Sequence, residues 1–235
     1  MAKLFYITKG LADTAENEIY EKLDGPDIVE KNQKYIISKT DSGLNEICGL
    51  KTIDDAHTLL RKQDFEAKPS SEQVIGSFPL ENIRKTILEL SEFRELGENF
   101  SITVSRYRND KIDPKKIERD VRKSISEKTG KNFEERGEDS ELDFRIHIEE
   151  RRVLYSARID SKPLYFRNYR ECGRKGSLKT SIAAGLVRMG DIESGQKIVD
   201  NFAGAGTILC EAKLQDLDVQ GGDIDREAVK CARKN

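Results

Sequence analysis

The stretch Asp200-Asn201-Phe202-Ala203-Gly204-Ala205-Gly206-Thr207 decides the fold class of the C-terminal part of this 235-residue chain. It follows the short run Lys197-Ile198-Val199, which predicts a buried strand. The residues after it predict a helix over 208–214 and a second strand over 219–224. A strand, a glycine-rich loop, a helix and a strand that ends in an acidic residue, here Asp223, make up half of a doubly wound α/β nucleotide site.

Two cofactors compete for this pattern. A dinucleotide site needs Gly-x-Gly-x-x-Gly, and counting from Gly204 the third glycine position is Leu209. S-adenosylmethionine carries no phosphate; it needs small residues beside its methionine part and an acid after the next strand for its ribose. Asp223, which lies 23 residues after Asp200, meets the second need. The pattern therefore favours S-adenosylmethionine over a dinucleotide, with a purely structural glycine turn as the remaining alternative.

The residues before 165 predict two small α+β units. The first has a strand (3–8), a helix (13–23, with Asp13 as N-cap) and a hairpin (27–38), and its stretch 52–62 is compatible with strand or helix. The second, after a linker at 68–71, has a helix (80–96), a strand (100–107), a helix opened by Asp113-Pro114 and ended by Gly130, and two strands (143–149 and 152–160). A further helix, 178–189 with Ser177 as N-cap, precedes the glycine-rich stretch.

Basic residues are concentrated in the middle of the chain although the sequence pI is only 5.9. Between Arg106 and Lys131 there are ten basic and five acidic side chains. Phosphate contacts depend on local fields, so such a segment is compatible with RNA binding, although a solvated helix surface has the same composition. The predicted RNA-binding residues are Arg106, Arg108, Lys111, Lys115, Arg119, Arg122, Lys123, Arg167 and Arg170.

Three motifs carry a resemblance to a known family. Residues 200–212 resemble the first methyltransferase motif, DPFxGSGTxxxEA, and Gly222-Asp223-Ile224-Asp225 followed by Ala232-Arg233-Lys234-Asn235 resembles the second, GxDID…AxxN. Residues 163–170 and 178–186 resemble the linker and leading helix of THUMP-containing RNA methyltransferases. The resemblance implies an α+β N-terminal part, consisting of a ferredoxin-like unit (1–67) and a THUMP domain (68–162), then a linker (163–176) and the truncated start of a Rossmann-like methyltransferase domain (177–235).

The resemblance also implies a function, which is N2-methylation of guanine in tRNA or 23S rRNA. The cofactor would be S-adenosylmethionine, and the THUMP domain would bind RNA such as the single-stranded 3′ end of tRNA. Gly204 and Gly206 would border the methionine part of the cofactor, and Asp200 would help to hold its ammonium group. Asp223 would bind the ribose, and Asp225 would approach the adenine. Phe202 and Thr207 complete the set of cofactor-binding residues that the resemblance implies.

The catalytic motif of this family, Asn/Asp-Pro-Pro-Tyr, has no counterpart here, because the sequence contains no Pro-Pro pair and no proline after Pro163. No catalytic residue is therefore assigned. We expect the chain to be the N-terminal part of such an enzyme, completed by further sequence or by a second polypeptide. A non-catalytic THUMP RNA-binding protein is the alternative.

Composition narrows the remaining function classes. The cysteines Cys48, Cys172, Cys210 and Cys231 have no close spacing, which favours free thiols in a reducing, cytoplasmic compartment and argues against a zinc site. With His57 and His147 as the two histidines, no metal site is predicted. No run of eighteen apolar residues occurs, so we expect no membrane contact.

Overall fold

The fold was obtained as a computed structural model that describes residues 1–134, 142–193 and 195–235. It is a mixed α/β structure, as the sequence predicts at this level. In chain order its elements are β1 (Lys3–Tyr6), α1 (Ala12–Lys22), β2 (Asp27–Lys31), β3 (Tyr35–Lys39), α2 (Leu44–Cys48), β4 (Asp55–Asp64), α3 (Ser71–Gly76), α4 (Leu80–Phe93), β5 (Asn99–Tyr107), α5 (Pro114–Thr129), β6 (Asn132–Phe133), β7 (Leu142–Glu149), β8 (Arg152–Arg158), α6 (Thr180–Met189), β9 (Lys197–Asp200), α7 (Thr207–Lys213), β10 (Asp218–Gly221) and α8 (Arg226–Lys234).

The chain forms two compact units, of which the first contains Met1–Leu4 and Ala56–Ser161. A mixed sheet with the strand order β4-β8-β7-β5-β6 is its centre. β7 pairs antiparallel with β8 and parallel with β5, which places the alternate residues Phe144, Ile146 and Ile148 of β7 in the core. The long helix α5 covers this core with a stripe of buried residues.

Helix α5 forms as its sequence predicts. The Asp113 carboxylate accepts hydrogen bonds from the backbone N–H groups of Lys115 and Lys116, and Pro114 occupies the first turn. The helix ends at Gly130, whose φ of +72° is a left-handed conformation that glycine adopts without steric cost. Ile117, Val121 and Ile125 recur every four residues and are buried, so the stripe of basic residues between them faces outward.

The second compact unit contains Phe5–Asp55 and Lys162–Asn235. In its N-terminal segment β2 and β3 form the predicted antiparallel hairpin. Helix α1 packs on α6 within this unit: a Cβ added to Gly185 would lie 2.7 Å from Leu11 Cδ2, so only a glycine fits there without displacement of the leucine. In the C-terminal segment β9 and β10 pair in parallel, and α7 connects them.

Two predicted helix starts are wrong. Helix α1 begins after Leu11, not Asp13; the Asp13 carboxylate lies in the first turn and pairs with Lys31 Nζ at 2.8 Å. Helix α6 begins after Lys179, and the Ser177 hydroxyl accepts a hydrogen bond from the Arg174 N–H instead of capping the helix. A contact to a residue 18 positions away thus engages Asp13, and a local hydrogen bond within the preceding turn engages Ser177.

The cysteine prediction is also wrong in part. Cys172 and Cys231, which are 59 residues apart in sequence, are joined by a disulfide bond with their Cα atoms 5.4 Å apart. Cys48 and Cys210 are free thiols. Sequence spacing did not reveal the pair because the segment before α6 brings Cys172 back to helix α8. Within the described ranges, no helix has the length and apolar character needed to cross a bilayer.

Candidate functional site

The candidate site lies at the carboxyl ends of the parallel strands β9 and β10, where the glycine-rich loop 201–206 and the loop 222–225 meet. The register pairs Asp200 with Gly221, so the residues that follow each strand emerge at the same edge. The backbone N–H of Ala203 donates to Gly222 O at 2.9 Å, and the N–H of Gly222 donates to Asp200 O at 2.9 Å. The carboxyl edge of a parallel sheet is the usual position of ligand sites in such folds.

Asp223 joins the two loops. One carboxylate oxygen accepts a hydrogen bond from the Gly204 N–H at 2.8 Å and the other accepts one from the Asp225 N–H at 2.9 Å. These bonds, first that from Asp225 and then that from Gly204, hold the pKa of Asp223 below its ordinary value of 3.8. Because a carboxylate has about four acceptor positions, an ionised Asp223 can accept further bonds from ligand hydroxyls.

The glycine positions fit a loop that leaves room for a ligand. Gly204 has φ +55° and an added Cβ would meet nothing within 4 Å, so its outer side is open. Gly206 has φ +75° and lies against helix α8, where an added Cβ would be 3.0 Å from Ala232 Cβ. A Cβ on Gly221 would be 2.3 Å from Leu209 Cδ1, which explains why the end of β10 is glycine. The residues present therefore fit the methionine and ribose parts of S-adenosylmethionine.

Of three further predicted cofactor residues, Asp200 is half-buried, Phe202 is exposed and Thr207 is buried. The Asp200 carboxylate accepts a hydrogen bond from the Phe202 N–H at 3.0 Å, and the Phe202 ring is 88% exposed. Thr207 is buried in the first turn of α7. Sequence reasoning missed Ile224, whose side chain is 99% exposed between Asp223 and Asp225 and supplies an apolar surface there.

Asp225 has a different environment from the one that the sequence predicts. Its carboxylate caps helix α8 by accepting the Glu227 N–H at 2.9 Å, and it forms an ion pair with Arg174. The guanidinium of Arg174, and next the Glu227 N–H, lower the pKa of Asp225 below its usual range. The geometry gives Asp225 the role of fixing α8 and Arg174, and it shows no separate feature directed at an adenine.

Arg167 likewise departs from its predicted role as an RNA contact. Its Nε lies 3.0 Å from Glu211 Oε1 in an ion pair that is almost completely buried, and its Nη2 donates to Lys51 O at 2.8 Å. Tyr169 donates its phenolic hydrogen to the same Glu211 oxygen at 2.8 Å. Burial first, and then the charge of Glu211, raises the pKa of Tyr169 well above its ordinary value. Arg167 therefore orients α7, the helix that follows the glycine-rich loop.

Three of the predicted RNA-binding residues lie together beside one groove of the first unit. Arg119, Arg122 and Lys123 line a groove of about 680 Å³ together with Asp120, Ser126 and Phe133. The guanidinium carbon of Arg122 lies 4.7 Å from the centroid of the Phe133 ring. This arrangement offers cations and planar groups on one surface, as contacts to phosphates and unpaired bases require.

The other predicted RNA-binding residues are more dispersed. Arg106 Nη1 donates to Ile112 O at 2.6 Å, and Arg108 lies 5.0 Å from the Tyr107 ring centroid with φ +54°. Lys111 and Lys115 are exposed on the approach to and the first turn of α5, and Arg170 is half-buried in the segment before α6.

The sequence of the chain is similar to known methyltransferases. Residues 167–235 match the family described as UPF0020, the RMKL-like methyltransferase domain. The tRNA (guanine(10)-N2)-dimethyltransferase of Methanothermobacter thermautotrophicus is 25% identical over 188 residues, which cover 75% of this chain and 53% of that protein. The tRNA (guanine(6)-N2)-methyltransferase of Thermus thermophilus is 28% identical over 93 residues, which cover 38% of this chain and 28% of that protein. The chain thus spans about half the length, or less, of the curated relatives that it matches.

Solved structures share the fold. TrmN from Thermus thermophilus superposes with a TM-score of 0.74 at 21% identity, covering 100% of this chain and 69% of that one. SMU.472, solved in complex with SAH, gives a TM-score of 0.70 at 14% identity over 99% of this chain and 71% of that one. Residues 167–235 are therefore similar to the RMKL-like methyltransferase domain, and parts of the chain are similar to two tRNA guanine-N2 methyltransferases.

Proposed function

We propose that this chain is part of an S-adenosylmethionine-dependent RNA methyltransferase that forms N2-methylguanine in tRNA, with 23S rRNA as the second substrate class. In this proposal residues 68–162 are a THUMP domain that binds RNA, and residues 177–235 hold one side of the cofactor. In the same proposal residues 1–67 form a ferredoxin-like unit, and residues 163–176 are the linker between the THUMP and methyltransferase domains. The name of the archaeal relative, a tRNA guanine-N2 methyltransferase, supports the substrate class.

The cofactor assignment rests on one observation: the Gly204 N–H donates a hydrogen bond to the Asp223 carboxylate. It brings the small-residue loop and the acid that a ribose needs to the same edge of β9 and β10. Asp223 would accept hydrogen bonds from the ribose hydroxyls, and Asp200 would accept one from the ammonium group. The exposed Ile224 would contact the adenine ring. When bound, the cofactor supplies the methyl group on a sulfonium centre.

The groove beside α5 supports the RNA-binding part of the proposal. Arg119, Arg122 and Lys123 would contact phosphates, and the guanidinium plane of Arg122 would stack with an unpaired base. A guanidinium differs from an ammonium here because it combines a charge with a planar face. RNA binding without cofactor binding would instead favour the alternative of a non-catalytic RNA-binding protein.

The cofactor assignment is tested by calorimetric titration of S-adenosylhomocysteine into the chain and two variants. Asp223→Ala should weaken binding at least tenfold, because it removes the acceptor for two hydroxyls and the bond that holds Gly204. Asp218→Ala, at the opposite end of β10, is the matched control and should bind as the parent does. Absence of binding to the parent chain would refute the cofactor site.

The RNA assignment is tested separately by gel shift with tRNA. The double variant Arg119→Glu and Arg122→Glu should lose binding, whereas Arg84→Glu with Lys85→Glu on α4 makes the same charge change away from the groove. Equal loss in both variants would mean that net charge, not the groove, governs binding.

A further inference from the structure

Asn235, at the end of helix α8, uses its side-chain amide fully. Its Nδ2 donates to Ala205 O at 2.8 Å and to Cys172 O at 2.9 Å, and its Oδ1 accepts the Cys172 N–H at 2.8 Å. An aspartate at this position has no hydrogen to donate, and it would place a negative oxygen against two carbonyl groups. The arrangement is therefore specific for an amide side chain of this length.

The Ala205 carbonyl lies in the glycine-rich loop, between Gly204 and Gly206. On one side of it, the Gly204 N–H donates to Asp223; on the other, Gly206 packs against Ala232 of α8. The loop is thus held from the end of β10 at residue 204 and from α8 at residues 205 and 206. Asn235 makes the one directed polar contact from α8 to this loop among the described hydrogen bonds.

The second group that Asn235 contacts is the segment 172–174, through Cys172. Cys172 is bonded covalently to Cys231 of α8, and Arg174 pairs with Asp225 at the start of α8. This segment is therefore attached to both ends of the helix. Asn235 also connects this segment to the loop. A substitution at residue 235 therefore acts on the loop and removes no hydrogen bond of Asp223.

We propose that Asn235 is a positioning residue for the cofactor loop, in that it sets the orientation of the Ala205 peptide and thereby the backbone that borders the methionine part of the ligand. This inference rests on the proposed cofactor function. It distinguishes two parts of the ligand: Asn235 acts on the loop at Ala205, beside the methionine part, whereas Asp223 holds Gly204 and would in addition contact the ribose. Loss of Asn235 should therefore weaken binding of an amino-acid-bearing ligand more than binding of a ligand that has only the nucleoside part.

The test compares two probes, S-adenosylhomocysteine and 5′-methylthioadenosine, which lacks the amino-acid part. Calorimetric titration is carried out on the parent chain, Asn235→Asp, Asn235→Ala and the control Lys234→Ala, an exposed neighbour. Asn235→Asp and Asn235→Ala should lose about tenfold in affinity for S-adenosylhomocysteine and less than about threefold for methylthioadenosine. Equal losses for both probes would indicate a merely structural role and overturn the proposal, as would unchanged binding of both.

Hydrogen exchange without ligand separates this inference from the proposed function. In Asn235→Asp and Asn235→Ala the amides of residues 204–207 should exchange faster than in the parent, while those of β7 stay unchanged. If the parent chain binds neither probe, the cofactor proposal fails, and the exchange result alone decides whether Asn235 holds the loop. Unaltered exchange at 204–207 in both variants would overturn the inference whatever the ligand result.

Discussion

Arg167 and Glu211 form an ion pair inside the second compact unit, with 6% and 0% of their side chains exposed. The pair joins the segment that precedes α6 to the helix that follows the glycine-rich loop. Tyr169 donates to the same Glu211 oxygen and the Lys51 carbonyl accepts from Arg167, whereas the second carboxylate oxygen, Glu211 Oε2, is buried without a hydrogen-bond partner among the described residues.

We expect Arg167→Ala to destabilise the chain by about 3–5 kcal/mol, because it leaves the Glu211 charge buried without its partner. Urea unfolding followed by circular dichroism measures the change. The double variant Arg167→Met with Glu211→Leu should recover most of the loss, since an apolar pair needs no charge compensation. Lys175→Ala, an exposed cation in the same segment, is the control. A single variant as stable as that control would show that the pair does not stabilise the fold.

The lowered pKa of Asp223 predicts how cofactor binding depends on pH. Since hydrogen bonds favour the ionised form in the folded chain, the stabilisation from Asp223 is complete above its ordinary pKa of 3.8 and is lost as pH falls through the lower folded value. Affinity for S-adenosylhomocysteine should therefore not weaken between pH 7 and about pH 5 through protonation of Asp223. Carboxyl NMR titration, with Asp223→Asn to assign the signal, should give a midpoint below 3.8. A midpoint above that value would contradict the observed hydrogen bonds.

Reduction of the Cys172–Cys231 bond should lower the free energy of unfolding by up to about 4 kcal/mol, the chain-entropy value for a loop of this length. Thermal unfolding with and without dithiothreitol measures it. The double variant Cys172→Ser with Cys231→Ser should unfold, with and without dithiothreitol, at the midpoint temperature of the reduced parent chain. Cys48→Ser should keep the difference between the two midpoint temperatures. Identical midpoints for the parent chain with and without reductant would mean that the bond is not formed in solution.

Salt dependence separates charge from stacking at the groove. Arg122→Ala should reduce the slope of log affinity against log salt concentration by about one and weaken RNA binding. Arg122→Lys should keep that slope but still weaken binding to single-stranded RNA, because an ammonium lacks the planar face. Filter binding at several salt concentrations distinguishes them, with Lys85→Ala as the control. If Arg122→Lys binds as the parent does, stacking at this residue is not used.

Local sequence sufficed where one segment contains both partners of an interaction. Helix α5 is the clearest example, since its cap at Asp113, its apolar stripe and its end at Gly130 all lie within the helix or beside it. The parallel strands β9 and β10 with the glycine loop between them were predictable for the same reason, but the predicted burial of β9 is wrong, because Val199 is 55% exposed. The short strand β6 was missed because two residues carry too little periodicity to be recognised.

The departures share a different cause. Asp13 pairs with Lys31, Arg167 with Glu211 and Cys172 with Cys231, and in each pair the partner is distant in sequence. A preference for a helix-cap residue, or the presence of a basic residue beside aromatic ones, does not identify a partner that is distant in sequence. Asp225 shows the same effect within the site, because Arg174 reaches it from a separate segment.

The second compact unit is discontinuous in the chain, with all of Ala56–Ser161 inserted between its two segments. During synthesis the ribosome must add about a hundred residues after Asp55 before the second segment of this unit, which begins at Lys162, exists. At ordinary elongation rates of about 5–20 residues per second, this interval lasts roughly 5–20 seconds. In that time the inserted unit can complete its own sheet, whereas apolar residues such as Leu11 have no α6 to cover them. The N-terminal segment of the second unit can thus complete its packing only after the insert has been translated.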